Sequence, residues 1–144
     1  MKAKEVAEYF ISLVDEDSGD SLSNLKIQKL LYYAQGFSLA ILRCPLFDEK
    51  ILAWNFGPVV EAVYEDYKEF GSGPVPLSSD FNPDSFDPNV SELLNEVYGV
   101  YGQFSAAALV EMTHSEPPWK KTKRNNEVPL TAMQDYFSTQ VNNL

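Results

Sequence analysis

Apolar residues return every third or fourth position through most of the chain, the spacing of a helix face turned towards a core. Val6, Phe10, Leu13 and Val14 set out a first amphipathic helix, broken by the acidic, glycine-containing stretch Asp15–Asp20. A second helix, over about 23–42, starts from Ser23 or Asn24 as N-cap. Leu25, Ile27, Leu30, Leu31, Tyr32, Tyr33, Ala34, Phe37, Leu39, Ala40 and Ile41 surround most of its circumference. A helix apolar on most sides belongs between neighbours, so this one is expected at the centre. Gln28 and Gln35, seven residues apart on one side, are either a solvated stripe or buried hydrogen-bonding groups.

Pro45 closes that helix, and the run Ile51–Phe56 reads as a short strand or an extended buried segment. Gly57-Pro58 then reads as a strand-to-helix turn. A positive φ is expected at Gly57, with Pro58 in the first turn of a helix that carries Val59, Val63, Tyr64, Tyr67 and Phe70. Residues 71–89 hold four of the nine prolines and no basic residue, an irregular loop in which 74–77 could pair with the Trp54 segment at a sheet edge. Helices resume at Asn89 or Ser91, with Val90, Leu93, Leu94, Val97 and Tyr101 on one face. Ser105 caps the next, Ala106 to His114, and Ser115 with Pro117-Pro118 starts a single turn holding Trp119. Pro129 opens a last helix with Leu130, Met133, Tyr136, Phe137 and Val141. The pattern predicts one all-α domain over residues 1–144, a bundle of about six helices around the central one. At most a minor β element is expected near 51–56 and 74–77.

Composition adds bounds. Hydrophobic residues make up 44% of the chain and aromatics 13%, enough apolar mass for a core without staples. The single Cys44 leaves no disulfide framework and no cysteine-cluster metal site. No apolar run suits a membrane span, and Met1–Glu5 leads into an acidic amphipathic stretch rather than a signal peptide. A cytoplasmic protein with no membrane partner is the expectation. The net charge is −10, which repels nucleic acid by default and favours a basic partner or plain solubility. Against this background Lys120, Lys121, Lys123 and Arg124 concentrate four positive charges, read as a solvated loop between helices rather than a nucleic-acid patch.

Catalytic templates fail on inspection. Asp15–Asp20 begins like a calcium loop, but Gly19 falls fifth and Lys26 twelfth, where a sixth-position glycine and a twelfth-position glutamate are needed. His114 is the only histidine, so zinc sites built on paired histidines cannot form. A Ser105–His114 nucleophile pair lacks a flanking motif such as Gly-x-Ser-x-Gly. Ser105 reads instead as a helix cap and His114 as a cation at the helix C-terminus. No glycine loop is arranged to cradle phosphate, so no cofactor, metal or catalytic residue is assigned.

Three stretches carry a resemblance. The first is Leu25-Lys26-Ile27-Gln28-Lys29-Leu30-Leu31-Tyr32-Tyr33-Ala34-Gln35-Gly36, followed by Pro45-Leu46-Phe47. The second is Ala53-Trp54-Asn55-Phe56-Gly57-Pro58-Val59-Val60. The third runs from Tyr101-Gly102 through Phe104-Ser105-Ala106, Leu109 and Thr113-His114 to Pro117-Pro118-Trp119. In this order and spacing they resemble the Panacea domain family, known from SocA-like antitoxins and GepA-like phage-associated proteins. The resemblance covers nearly the whole chain and is weakest after Trp119.

It implies an antitoxin that neutralises a co-encoded toxin by direct contact, with delivery of the toxin to a protease as an alternative mechanism. An acidic, helical domain suits the masking of a basic or membrane-active toxin. The motif residues Leu25, Gln28, Lys29, Leu30, Tyr33, Gln35, Gly36, Gly57, Pro58, Ser105, His114 and Trp119 are read as mainly structural. Toxin contact is assigned to the aromatic candidates Phe47, Trp54, Phe56, Tyr64 and Tyr67. The rival readings are a nucleic-acid-binding regulator using residues 120–124 and a hydrolase using Ser105 and His114. Oligomeric state is left open.

Overall fold

The computed structural model describes all 144 residues. Its organising element is α2 (Asn24–Ile41), which starts where the Ser23 hydroxyl accepts the Lys26 N–H at 3.2 Å. Fourteen of its eighteen residues are buried, and α1 (Ala3–Ser12), α3 (Glu61–Tyr67), α4 (Pro88–Tyr101), α5 (Ala106–His114) and α7 (Leu130–Ser138) all pack against it. The short α6 (Pro117–Lys120) joins α5 to α7 and completes seven helices, so the architecture is mainly α, as the apolar spacing predicts.

The tightest seam is between α2 and α7. Gly36 lets the Phe137 ring lie directly against the α2 backbone, where even a Cβ would collide with it. Phe137 then meets Phe37 edge-on at 4.9 Å and Tyr32 at 5.3 Å, while Tyr33 stacks on Tyr101 at 4.0 Å.

The β element differs from the expected one. β1 (Ile51–Trp54) turns at Asn55-Phe56 and pairs antiparallel with β2 (Gly57–Val60), Trp54 opposite Gly57 and Ala53 opposite Pro58. Gly57 does have a positive φ, +102°, but the turn it closes joins strand to strand, and α3 begins only at Glu61. Pro58 is tolerated in a strand because Ala53 directs its own backbone groups the other way. The Ala53 N–H donates to the Asn126 carbonyl at 2.9 Å, and the Ala53 carbonyl accepts from the Asn125 N–H at 2.8 Å.

Residues 125–128 therefore occupy the edge for which 74–77 were expected, with Val128 N–H on the Ile51 carbonyl at 2.8 Å. Val75 instead donates its N–H to the Leu22 carbonyl at 2.9 Å. Helix α4 starts one to three residues early, since the Asp87 carboxylate accepts the Asn89 N–H at 2.8 Å with Pro88 in the first turn. Glu116, not Ser115, precedes the α6 turn.

Candidate functional site

The polar side chains of the central helix hold the hairpin in place. Lys29 is fully buried and donates from Nζ to the Pro58 carbonyl at 2.9 Å. Burial pushes its ammonium down to about 7, because the charged form loses hydration that one carbonyl does not replace. One residue earlier, Gln28 accepts the Val60 N–H on Oε1 at 2.8 Å and donates from Nε2 to Asn24 Oδ1 at 2.9 Å. Asn24 passes the chain on to the Tyr64 carbonyl at 3.2 Å. From the other side the Trp119 indole N–H donates to the Trp54 carbonyl at 2.8 Å. Both ends of the Trp54–Gly57 turn are thereby clamped.

Gln35 performs the same service for the loop after α2. Its Oε1 accepts the Leu46 N–H at 2.8 Å and its Nε2 donates to the Phe47 carbonyl at 2.9 Å. Both glutamines are thus buried hydrogen-bonding groups, the second of the two readings their spacing left open.

Glu116 has no counterpart among the sequence candidates. It is buried, and the Tyr32 and Tyr33 hydroxyls donate to its two carboxylate oxygens at 3.0 and 2.9 Å. Burial raises its pKa to about 7 even though these donors pull it down. Burial and the neighbouring carboxylate in turn push both phenols upward. A signal for this carboxylate exists in the sequence: two adjacent tyrosines on a helix apolar all round must find acceptors inside.

The five aromatic candidates separate. Phe47 and Tyr67 lie in the core. Trp54 and Tyr64 are half-buried and meet edge-on, centroids 5.1 Å apart at 74°. Phe56, at the hairpin tip, is 70% exposed. These last three line one cleft of about 320 Å³ together with Leu25, Val59 and Lys68.

Ser105 caps α5, accepting the Ala108 N–H at 3.1 Å, and His114 ends the same helix. Nine residues of helix set them about 13 Å apart along the axis, so the structure does not bring them together. The His114 ring instead stacks on Trp119 at 4.1 Å. The basic cluster is only partly a solvated loop. Lys120, Lys121 and Lys123 are exposed, but Arg124 lies with its guanidinium carbon 3.5 Å from the Trp119 ring centre and donates to the Trp119 carbonyl at 2.8 Å. Its neighbours form the outer edge of β1, which holds the segment down. No group of three potential metal ligands comes together, and no helix is long and apolar enough to cross a membrane.

Taken together, a helical scaffold spends its buried polar groups on fixing a short hairpin whose aromatic tip faces solvent. The chain belongs to the antitoxin SocA-like, Panacea domain family, whose model matches residues 27–120. Over 110 residues it is 32% identical to the antitoxin SocA of Caulobacter vibrioides (strain NA1000 / CB15N), covering 68% of this chain and 58% of that protein. The matched part thus falls short of two thirds of that relative's length. No solved structure matches.

Proposed function

We propose that this chain is an antitoxin that neutralises a co-encoded toxin by forming a stable protein complex with it, through the surface around Trp54, Phe56 and Tyr64. The observation that carries this reading is Phe56. A large aromatic side chain 70% exposed to water sits on a turn clamped by Lys29, Gln28 and Trp119. An aromatic anchor held rigidly before the partner arrives loses little freedom on binding. Phe47 and Tyr67, both in the core, serve the scaffold. The net charge of −10 adds attraction for a basic partner during encounter. Transfer of the captured toxin to a protease would begin from the same complex.

The test is rescue of cells expressing the product of the adjacent reading frame. Wild type and folded Ser105→Ala and His114→Ala variants are expected to rescue, and Phe56→Ala, whose ring is external to the fold, is expected to lose rescue. An interface anchor of this kind costs about 2 kcal/mol or more on truncation. Loss of rescue only in the Ser105 and His114 variants, with complex formation intact, would replace binding by catalysis. Repeating the rescue in cells lacking the main cytosolic proteases separates blocking from delivery.

A further inference from the structure

We infer that the cleft between the hairpin tip and α3 is an aromatic cage for a basic side chain, an arginine or lysine that the partner protein inserts between Trp54, Phe56 and Tyr64. The inference rests on the antitoxin reading only for the partner's identity, since the cleft and its chemistry belong to this chain alone.

Shape comes first. Trp54 and Tyr64 stand at 74° to one another and form a corner, and the exposed Phe56 lines the same cleft from the turn. Ring faces carry negative potential, so a corner of rings attracts a cation more strongly than it does an aliphatic group of equal size. The amides behind this corner are already turned inward. Asn24 donates to the Tyr64 carbonyl, and Gln28 is engaged with Asn24 and with the Val60 N–H. The three rings, with Leu25, Val59 and Lys68 beside them, are what an occupant meets.

Charge points the same way. Lys68 is the one cation lining the cleft, and Glu65 pairs with it at 3.2 Å. Glu61 lies three residues before Tyr64 on the same side of α3, exposed and without an ion-pair partner. An arriving guanidinium would therefore meet aromatic rings beside a lysine already neutralised by Glu65, with the unpaired Glu61 outside the cleft on the same helix and a net charge of −10 over the whole protein. The molecule also shows the interaction in use. Arg124 sits 3.5 Å from the centre of its other tryptophan ring, Trp119, whereas the aromatic neighbour of Trp54 is Tyr64.

The experiment titrates the full-length, ¹⁵N-labelled protein with three short synthetic peptides, identical except for one central residue: arginine, its uncharged isostere citrulline, or leucine. The indole signal of Trp54, assigned from the Trp54→Phe spectrum, is followed together with backbone signals of α3. The arginine peptide is expected to bind about tenfold more tightly than either control, equivalent to about 1.4 kcal/mol. Phe56→Leu and Tyr64→Leu should remove that preference, Trp54→Phe should keep most of it, and Glu61→Gln should weaken arginine binding and its salt dependence. Equal binding of the leucine or citrulline peptide overturns the cage in favour of an apolar slot. Failure of the arginine peptide to move these signals at millimolar concentration also overturns it. In the rescue assay, wild type failing to protect cells would sink the antitoxin reading while the peptide result still decides the cage. Wild type and the two leucine variants protecting equally would sink the cage and leave the antitoxin reading standing.

Discussion

Replacing Gly57 by alanine tests whether the hairpin is locked onto the central helix. Two costs are separable in the structure. The first is conformational: an L-residue at φ +102° is strained by about 1–2 kcal/mol. The second is steric: the new Cβ would lie 2.8 Å from both Lys29 Cε and Thr113 Oγ1, and 3.3 Å from Lys29 Nζ. Neither neighbour can swing aside. Lys29 is buried with its Nζ on the Pro58 carbonyl, and the buried Thr113 hydroxyl is tied to the Val110 carbonyl at 2.8 Å. Forcing a methyl into such a place costs about 1–3 kcal/mol more.

The sum, about 2–5 kcal/mol, is a large fraction of the stability of a domain this size. At about 3 °C per kcal/mol it lowers the melting temperature by about 6–15 °C. Urea unfolding and scanning calorimetry measure it, with Gly19→Ala and Gly71→Ala as controls. Those glycines have φ of +83° and +58° with nothing within 4 Å of a Cβ, so they report the conformational cost alone. In a Lys29→Ala background the Gly57→Ala penalty should shrink, because one of the two colliding groups is gone. If Gly57→Ala costs no more than the controls, the tight packing of the turn on Lys29 and Thr113 is refuted.

Two further outcomes are expected. Glu116, raised by burial from 4.5 to about 7, contributes stability that is complete below pH 4.5 and lost as pH rises to about 7; Lys29, lowered by burial from 10.5 to about 7, contributes stability that is complete above pH 10.5 and lost as pH falls to about 7. Urea midpoints should therefore show Glu116→Gln flattening the fall between pH 5 and 7 and Lys29→Met flattening the rise between pH 7 and 10, and slopes unchanged by either variant would contradict their burial. Changing Lys120, Lys121 and Lys123 to serine should leave rescue and stability nearly as in wild type, whereas Arg124→Ser should lower the melting temperature through loss of the Trp119 stack; equal effects would show that Arg124 is no more than another surface cation.

The helices were legible because a period of three to four apolar residues survives almost any packing. It located α2, α5 and α7, gave the Ser105 cap directly and narrowed the α2 cap to Ser23 or Asn24, of which the structure shows Ser23. The hairpin was not legible, for a specific reason. Pro58 fits the first turn of a helix as well as it fits a strand position with no donor to supply, and local sequence cannot choose between these. What chose was Ala53 pairing with residues 125 and 126, some seventy positions away. The same limit applies to the site. Aromatic type and position put Phe47 and Tyr67 beside Phe56 as candidates, but only tertiary packing divides rings that fill the core from the one that leaves it.

That division bears on how one scaffold can serve a contact surface. Each polar side chain buried in α2 satisfies a particular group. Gln28 and Lys29 serve β2, Gln35 serves the loop at Leu46 and Phe47, and Tyr32 and Tyr33 serve Glu116. Removing any one leaves a desolvated partner at a cost of about 1–3 kcal/mol, more where the partner is charged. These positions are therefore constrained whatever the protein binds. Phe56 is constrained by none of them: its ring is mostly in water, so the fold accepts another residue there at little cost. Adjacent in sequence, Phe56 and Gly57 have opposite tolerances, the one left free by the fold and the other fixed by Lys29 and Thr113 beneath it. On the proposed reading of the tip as the contact surface, a change of partner is met there without disturbing the helix that holds the hairpin.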